Sequence, residues 1–387
     1  MSASETATVS SRPRWAVAAM FFANGFILGA WAPQIPLFLA RLGISETTLG
    51  LLILGFGLGA LVAMPLAGWM IARHGSKATL SVIAIACSLG LAIVVASPDV
   101  VVAAAALVLF GAVFGGMDVT MNANAVAVER RLGRAIMSSS HGFWSLGGFV
   151  GGLTGGFVIQ QVGAMGHALI VCAIALAMVL AALPSIIDDD RPQAHERASH
   201  SFPRSVTLYI LGFIALFSMI PEGAVVDWAA LYLAQEHGST VATAGWGYAA
   251  FAGSMALMRF AGDRIRDRFG GVATLRVSAL ISAAGMFAAA FAPSAPLAIA
   301  FFALAGLGIA NMVPVVFSAA GNHPGVASGA AMSVVTTIGY SGILIAPSAM
   351  GFIGDHVGFV PVFAGVAVML ALVAAVAGMA HHADHPK

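Results

Sequence analysis

Charge is what this chain has least of. Lys, Arg, Asp and Glu make up 9% of its 387 residues, against about a quarter in an average soluble domain, so a soluble surface is excluded. Cysteine is scarcer still: Cys87 and Cys172 both fall in mid-run apolar positions, which argues against a structural disulfide or a thiolate metal site. They read as small packing residues. No basic patch offers itself to nucleic acid, and the formal net charge of +1 says nothing about partners. No Gly-x-Ser-x-Gly elbow and no paired nucleophile and base is present, so an enzyme is not expected. Nothing in the sequence calls for a cofactor.

What is there is apolar length: 60% hydrophobic residues and 45 glycines. A helix needs about 20 mostly apolar residues to cross the hydrocarbon, and twelve such runs can be placed. They cover residues 15–40, 47–72, 78–97, 100–128, 137–161, 165–187, 206–234, 241–262, 272–292, 295–320, 326–354 and 359–380. The first run is too long for a signal-peptide core and reads as an uncleaved span. The cations confirm the pattern: all but Arg41 and Arg259 of the 17 Lys and Arg residues fall at alternate junctions. Short loops rich in Lys and Arg stay in the cytoplasm, so both termini are expected inside, in a bacterial-type inner membrane.

One offset, 195 residues, aligns the first half with the second. Gly50 meets Gly245, Arg73 meets Arg268, Gly75 meets Gly270, and Ala78-Thr79-Leu80 recurs as Ala273-Thr274-Leu275. Met137-Ser138 meets Met332-Ser333, and Gly156-Phe157 meets Gly351-Phe352. A single register over five runs implies two six-helix bundles in the same orientation. The expected organisation is a cytoplasmic tail (1–14), a first bundle (15–187), a cytoplasmic linker (188–205), a second bundle (206–380) and a tail (381–387). The linker's His195-Glu196 and His200 imitate a zinc-protease signature, but the five-residue spacing keeps the two imidazoles off one helix face; no metal is expected. Gly55, Gly57 and Gly59 lie inside a span with no strand before them, so they read as close helix packing. The terminal His381, His382 and His385 read as unstructured.

The junction after the second run, "GWMIARHGSKATL", resembles the loop motif of the major facilitator superfamily at Gly68, Arg73, Gly75 and Lys77, with Ala72 in place of its Asp. Its second-half copy, "DRIRDRFGG", keeps that residue as Asp267, with Arg268 and Gly270. The resemblance implies an all-α integral membrane protein, twelve transmembrane helices in two pseudo-symmetric bundles, with this loop locking the halves on the cytoplasmic side. The missing first-half Asp puts a strong lock there in doubt. In the fifth run Gly147, Gly151, Gly155 and Gly156 resemble the superfamily's antiporter-associated glycine motif, with Gly152 in place of its Pro. Packing alone accounts for them equally well.

An ionisable side chain inside a span marks a pathway by default. Asp118, Glu222 and Asp227 qualify as proton-coupling residues. No Lys or Arg lies inside the first six runs to pair with Asp118, and an unpaired carboxylate at that depth suits a group that takes up and releases a proton. Asn122 is one turn further on, and His141 begins the fifth run at a similar depth, so the three can converge. "DVTMN" (118–122) and "HGFWSLG" (141–147) are also similar to fourth- and fifth-helix motifs of the fucose:proton symporters, with Asp for Glu and His for Gln. By that resemblance Asn122 and His141 contact a hydroxylated substrate. Pro221 before Glu222 predicts a kinked or discontinuous seventh helix. Glu222 and Asp227 stand about 140° apart on a regular helix, so both face a cavity only if the break redirects one; otherwise Asp227 lies near the outer water. Asn24, Trp228 and Asn311 belong to helices that line the cavity in this superfamily. Arg259 reads as a snorkelling side chain near the cytoplasmic end, paired with Asp263 at i+4.

The expected function is secondary active transport by alternating access: proton-coupled uptake of a small polar solute, sugars included, by a monomer whose partners are solute, protons and the lipid bilayer. The alternative is proton-driven efflux of drugs or metabolites. From other classes, a non-transporting nutrient sensor lacks a signalling surface in such short loops, and a membrane-embedded transferase lacks reactive groups and is opposed by the repeat.

Overall fold

Short turns at fixed places divide the chain into helices, and the same turns recur in both halves. The computed structural model describes residues 11–188, 205–326 and 328–384, and every regular element among them is helical. The first span, α1, runs through Arg12–Trp31, a 3₁₀ turn at Ala32–Gln34 where Pro33 removes a backbone donor, and Ile35–Leu42. α2 is Glu46–His74, α3 Ser76–Val95 and α4 Val100–Leu132. The stretch Met137–Ala182 is interrupted at Gly163 (φ 75°, ψ 171°), giving α5 (137–162) and α6 (164–182). In the second half α7 is Val206–His237, α8 Val241–Phe269 and α9 Gly271–Ala290. α10 is Ala295–Gly321, parted at 310–311; α11 is Ser328–Val357 and α12 Val360–Val376.

Ten helical stretches among the described residues are long and apolar enough to cross a membrane, with Met137–Ser185 taken as one. Its 49 residues extend about 74 Å at 1.5 Å each, more than twice a bilayer core of about 30 Å, so it crosses twice. The 29 residues of α8 are long enough but too polar to be among the ten. Twelve crossings result. Repeat positions adopt matching backbones: Gly43 and Gly238 both have φ 61°, Gly75 and Gly270 φ 84° and 80°, and Gly163 and Gly358 φ 75° and 82°. Ser45 and Thr240, also 195 apart, each cap the following helix by accepting the N–H three residues on.

The end where α6 finishes and α7 starts is called basal here, and the opposite end apical. Apically the halves are sealed. Thr47 donates to Asp355 at 2.5 Å, Gln235 to Glu46 at 2.5 Å, and Ser348 to the Gly50 carbonyl at 3.1 Å. At Gly57 an added Cβ would meet Leu344 of α11, whereas at Gly68 it would meet nothing within 4 Å, and around it Leu61, Val62, Leu66 and Trp69 are exposed. Among the described residues α5 and α8 stay together to the basal side, where Ser138 donates to the Arg259 carbonyl at 2.9 Å. The halves are therefore splayed at their basal ends.

α5 makes that contact possible because it carries two glycine faces. A Cβ at Gly147 or Gly151 would overlap the carbonyl oxygens of Phe22 or Phe26 in α1. One residue on, Gly148, Gly152 and Gly156 face Tyr248, Ala249 and Val241 of α8. Small residues let two backbones approach where lipid supplies no hydrophobic driving force.

Two expectations fail here. α7 is one continuous helix through Pro221, which is buried, so the expected discontinuity is absent there; transmembrane helices tolerate proline where packed neighbours re-satisfy the freed backbone group, here the Phe217 carbonyl four residues back. The discontinuity falls in α10 instead, at Ala310–Asn311. The terminal segment is also ordered as far as it is described: Ala377–Ala383 forms a 3₁₀ turn, Arg266 donates to the Ala383 carbonyl at 2.9 Å, and the Asp384 carboxylate accepts the Gly271 N–H. Residues 1–10 of the expected tail, 189–204 of the linker and His385 lie outside the described residues.

Gly151→Leu is expected to lower the midpoint of thermal unfolding, since overpacking costs about 1–3 kcal/mol. At Gly68 a Cβ would meet nothing within 4 Å, so Gly68→Ala should be neutral or stabilising by up to about 1 kcal/mol. Equal losses in both would contradict the packing described.

Candidate functional site

Four helices contribute to one chain of polar contacts between the halves. It starts in α1 at Asn24, which is fully buried and accepts a hydrogen bond from Trp144 Nε1 of α5 at 2.8 Å. The Arg259 guanidinium of α8 lies over the Trp144 ring, 5.7 Å from its centroid. It donates to Ser145 Oγ at 2.5 Å and to the His141 carbonyl at 3.4 Å, both on α5. Its other nitrogen meets Glu222 of α7 at 3.6 Å, with side-chain exposures of 18% for Arg259 and 27% for Glu222. Glu222 lies 16 residues from the basal end of α7 and 15 from the apical end, at mid-span.

The network is only partly satisfied. Asn24 Nδ2, Glu222 Oε1 and the Tyr248 hydroxyl are buried without a hydrogen-bond partner, and Tyr248 is within electrostatic reach of Glu222, Arg259 and Asp227. A half-satisfied polar network is costly in a low dielectric, so these atoms are poised for a ligand or water that completes them. The free groups include a donor, an acceptor and a hydroxyl that does both.

α4 supplies a second polar element. Asp118 and Asn122 are half-buried one turn apart, and Asn122 Nδ2 donates to the Asp118 carbonyl at 2.8 Å and to its carboxylate at 3.2 Å. No cation pairs with Asp118 among the described residues. Across the splayed side, Tyr340 of α11 is exposed and within electrostatic reach of this carboxylate.

The remaining expected residues divide. His141 does not bring its imidazole to Asp118 in any described contact: the ring stands edge-on to Phe21 at 5.1 Å, and its carbonyl serves Arg259. Asp227 is 7% exposed, which removes the outer-water reading. Trp228 is fully enclosed, stacked on Phe359 at 5.5 Å and packed against Gly351 near the apical seal. Asn311 sits at the break in α10, its side chain against Gly262. Neither joins the polar chain. The loop-motif residues do not bridge the halves: Gly68 faces open space, Arg73 lies over Trp69 at 5.5 Å and Arg268 over Phe269 at 5.5 Å. Gly75 and Gly270 end α2 and α8, and Asp267 is exposed. This suits the splayed basal end.

Arg259 is the largest departure from expectation. It reaches across the interface instead of snorkelling to the basal surface; the side chain of Asp263 lies outside the described ones. Being the one Lys or Arg inside a span was the signal, and the i+4 carboxylate concealed it. Trp144, Ser145 and Tyr248 carried no comparable signal.

A model of the Major Facilitator Superfamily matches the chain twice, over residues 17–221 and 208–387. An uncharacterised MFS-type transporter of Yersinia pestis is 37% identical over 356 residues, 92% of each chain. The membrane protein MosC of Rhizobium meliloti is 35% identical over 343 residues, covering 89% of this chain and 84% of MosC. Among solved structures, a mutant form of the nucleoside transporter NupG gives a TM-score of 0.74 at 12% identity, over 94% of this chain and 99% of that one. A D-xylose-proton symporter gives 0.72 at 15% identity, over 94% and 97%. At such identities the structural likeness concerns the fold alone.

Arg259→Met should destabilise by about 1 kcal/mol, because it leaves a half-buried carboxylate at mid-span unpaired. Adding Glu222→Gln should recover part of the loss, giving a coupling of about 0.5–3 kcal/mol in a double-mutant cycle, near the low end for a pair this exposed. Strictly additive losses would mean that the two side chains do not interact.

Proposed function

Because the chain belongs to the Major Facilitator Superfamily, and so is a multi-pass membrane transporter and not an enzyme, we propose that it carries a small polar solute by proton-coupled alternating access. The two bundles, 15–187 and 206–380, rock about the α5–α8 contact, and the basal mouth is the cytoplasmic one by the distribution of Lys and Arg. The observation that carries this reading is the polar chain Asn24–Trp144–Arg259–Glu222, which joins both halves at mid-span and leaves donors and acceptors unfilled.

In this reading the solute completes the unfilled network, and Asp118 carries the proton. Arg259 and Glu222 offset each other's charge, whereas Asp118 has only the Asn122 amide beside it, so its proton is free to depend on which side the mouth opens. Protonation removes a charge from the splayed cleft, and closing the basal ends over a neutral carboxyl costs less than closing them over an ion. Asn122 holds the carboxyl in place. Glu222 and Asp227 are secondary candidates for the proton, and His141 acts through its carbonyl on Arg259. Sugars are the first solutes to try. Efflux loses part of its support, because the glycine faces of α5 are accounted for by contacts with α1 and α8.

The test is proton flux into proteoliposomes on adding members of a sugar and metabolite panel, wild type against Asp118→Asn. A solute-dependent proton current, lost in Asp118→Asn while solute binding persists, is the expected result. An undiminished current in that variant would remove Asp118 from coupling, and proton release driven by drugs in place of sugars would establish efflux.

A further inference from the structure

A pocket lies at the apical end of the first bundle, away from the polar chain. A cavity of about 370 Å³ opens there between α1, the end of α3 and the joint of α5 with α6, lined by Gln34, Leu37, Phe38, Arg41, Val95 and Ile159 among others. That is within the usual range of ligand pockets, about 300–1,000 Å³. Its walls are apolar except at Gln34 and Arg41. Gln34 is buried and already committed, donating to the Ala164 carbonyl at 2.8 Å and sharing a hydrogen bond with His167 Nδ1 at 2.8 Å. Arg41 is exposed and spends only one of its terminal nitrogens, on the Ser97 carbonyl.

Arg41 is the one Lys or Arg placed in an apical turn, where the remaining loops carry none. It stands in the last turn of the Ile35–Leu42 segment, lies over the Phe38 ring at 5.6 Å, and donates to the Ser97 carbonyl. No carboxylate pairs with it among the described residues. An exposed, unmatched guanidinium therefore caps a groove whose apolar wall continues along α1 through Phe38 and Leu37 to Gln34, seven residues or about 10 Å toward mid-span. The positive-φ break at Gly163 joins α5 to α6 without an intervening loop, and Gly163 and Ala164 line the cavity there.

We propose that this groove binds an anionic phospholipid of the apical leaflet, its phosphate on Arg41 and one acyl chain along Leu37, Phe38 and Ile159. A guanidinium matches phosphate oxygens with two parallel donors, and the end of a span is the level at which headgroups lie. A soluble anion could use Arg41 but has no use for the apolar wall; a zwitterionic lipid fits the wall but keeps a positive group beside Arg41. The bound lipid bridges α1, α3 and the α5–α6 joint, and so braces the first bundle whatever the protein carries.

The experiment measures lipid retained by purified full-length protein, by native mass spectrometry after exchange into mixed phosphatidylglycerol and phosphatidylcholine vesicles. Wild type should retain phosphatidylglycerol preferentially. Arg41→Gln should reduce that preference about fivefold, the effect of removing one cation worth about 1 kcal/mol at a membrane surface. Ile159→Trp, which fills the groove and keeps Arg41, should reduce it as well, and decides the matter if Arg41→Gln does not fold. Arg73→Gln, at the basal end, should leave it unchanged. A preference that survives both groove variants, falls equally in Arg73→Gln, or is abolished by inorganic phosphate at moderate concentration overturns the proposal.

Discussion

Everything polar between the halves depends on how closely α5 can lie against α8. In hydrocarbon there is no hydrophobic gain from bringing two helices together, so contact rests on dispersion between surfaces that fit and on the few hydrogen bonds that fitting permits. The face Gly148–Gly152–Gly156 provides that fit, and it brings α5 near enough for Arg259 to reach Ser145 and for Trp144 to lie beneath the guanidinium. The neighbouring face, Gly147 and Gly151, fixes α5 to α1 in the same way and delivers Asn24 to Trp144. One helix thus belongs to its own bundle and to the joint between bundles.

That arrangement separates what moves from what is held. The apical seal is made of side-chain hydrogen bonds near water, Thr47 to Asp355 and Gln235 to Glu46, which are exposed and readily exchanged for solvent. On the basal side α2 and α11 have already parted, and the loop motifs at Gly75 and Gly270 bind within their own halves. Between these ends the Arg259 cluster lies where the halves stay in contact. A solute that fills its unfilled donors and acceptors would bind both halves together, which is how occupancy can bias a rigid-body equilibrium.

The fold was legible because membrane spans leave a coarse signal: length, hydropathy and the alternation of cations each survive without knowledge of neighbours. The repeat was visible at Gly75 and Gly270, which share a backbone angle, and the structure adds Gly43 with Gly238 and Gly163 with Gly358. The site was legible only in part. Asp118 and Asn122 share one helix and one face, so spacing placed them together. Arg259 could not be oriented from its own helix, because an i+4 carboxylate and a partner on α7 are equally good reasons for an arginine to be there. Pro221 misled for a related cause: its effect is decided by the packing around α7. Trp228 looked like cavity lining and proved to be core, because Phe359 and Gly351 close over it from sequence positions far away.

Alternating access requires the two bundles to move against each other about α5 and α8. Pulsed electron resonance distances between spin labels in membranes, one pair across each end, report that motion. Both native cysteines are buried, so labels can be directed to introduced cysteines at exposed sites: Arg131 with Asn322 basally, and Ala96 with Phe291 apically. Adding a transported solute or changing pH should shorten the basal distance as the apical one lengthens. Distances that stay fixed, or that change together in the same sense, would contradict alternating access.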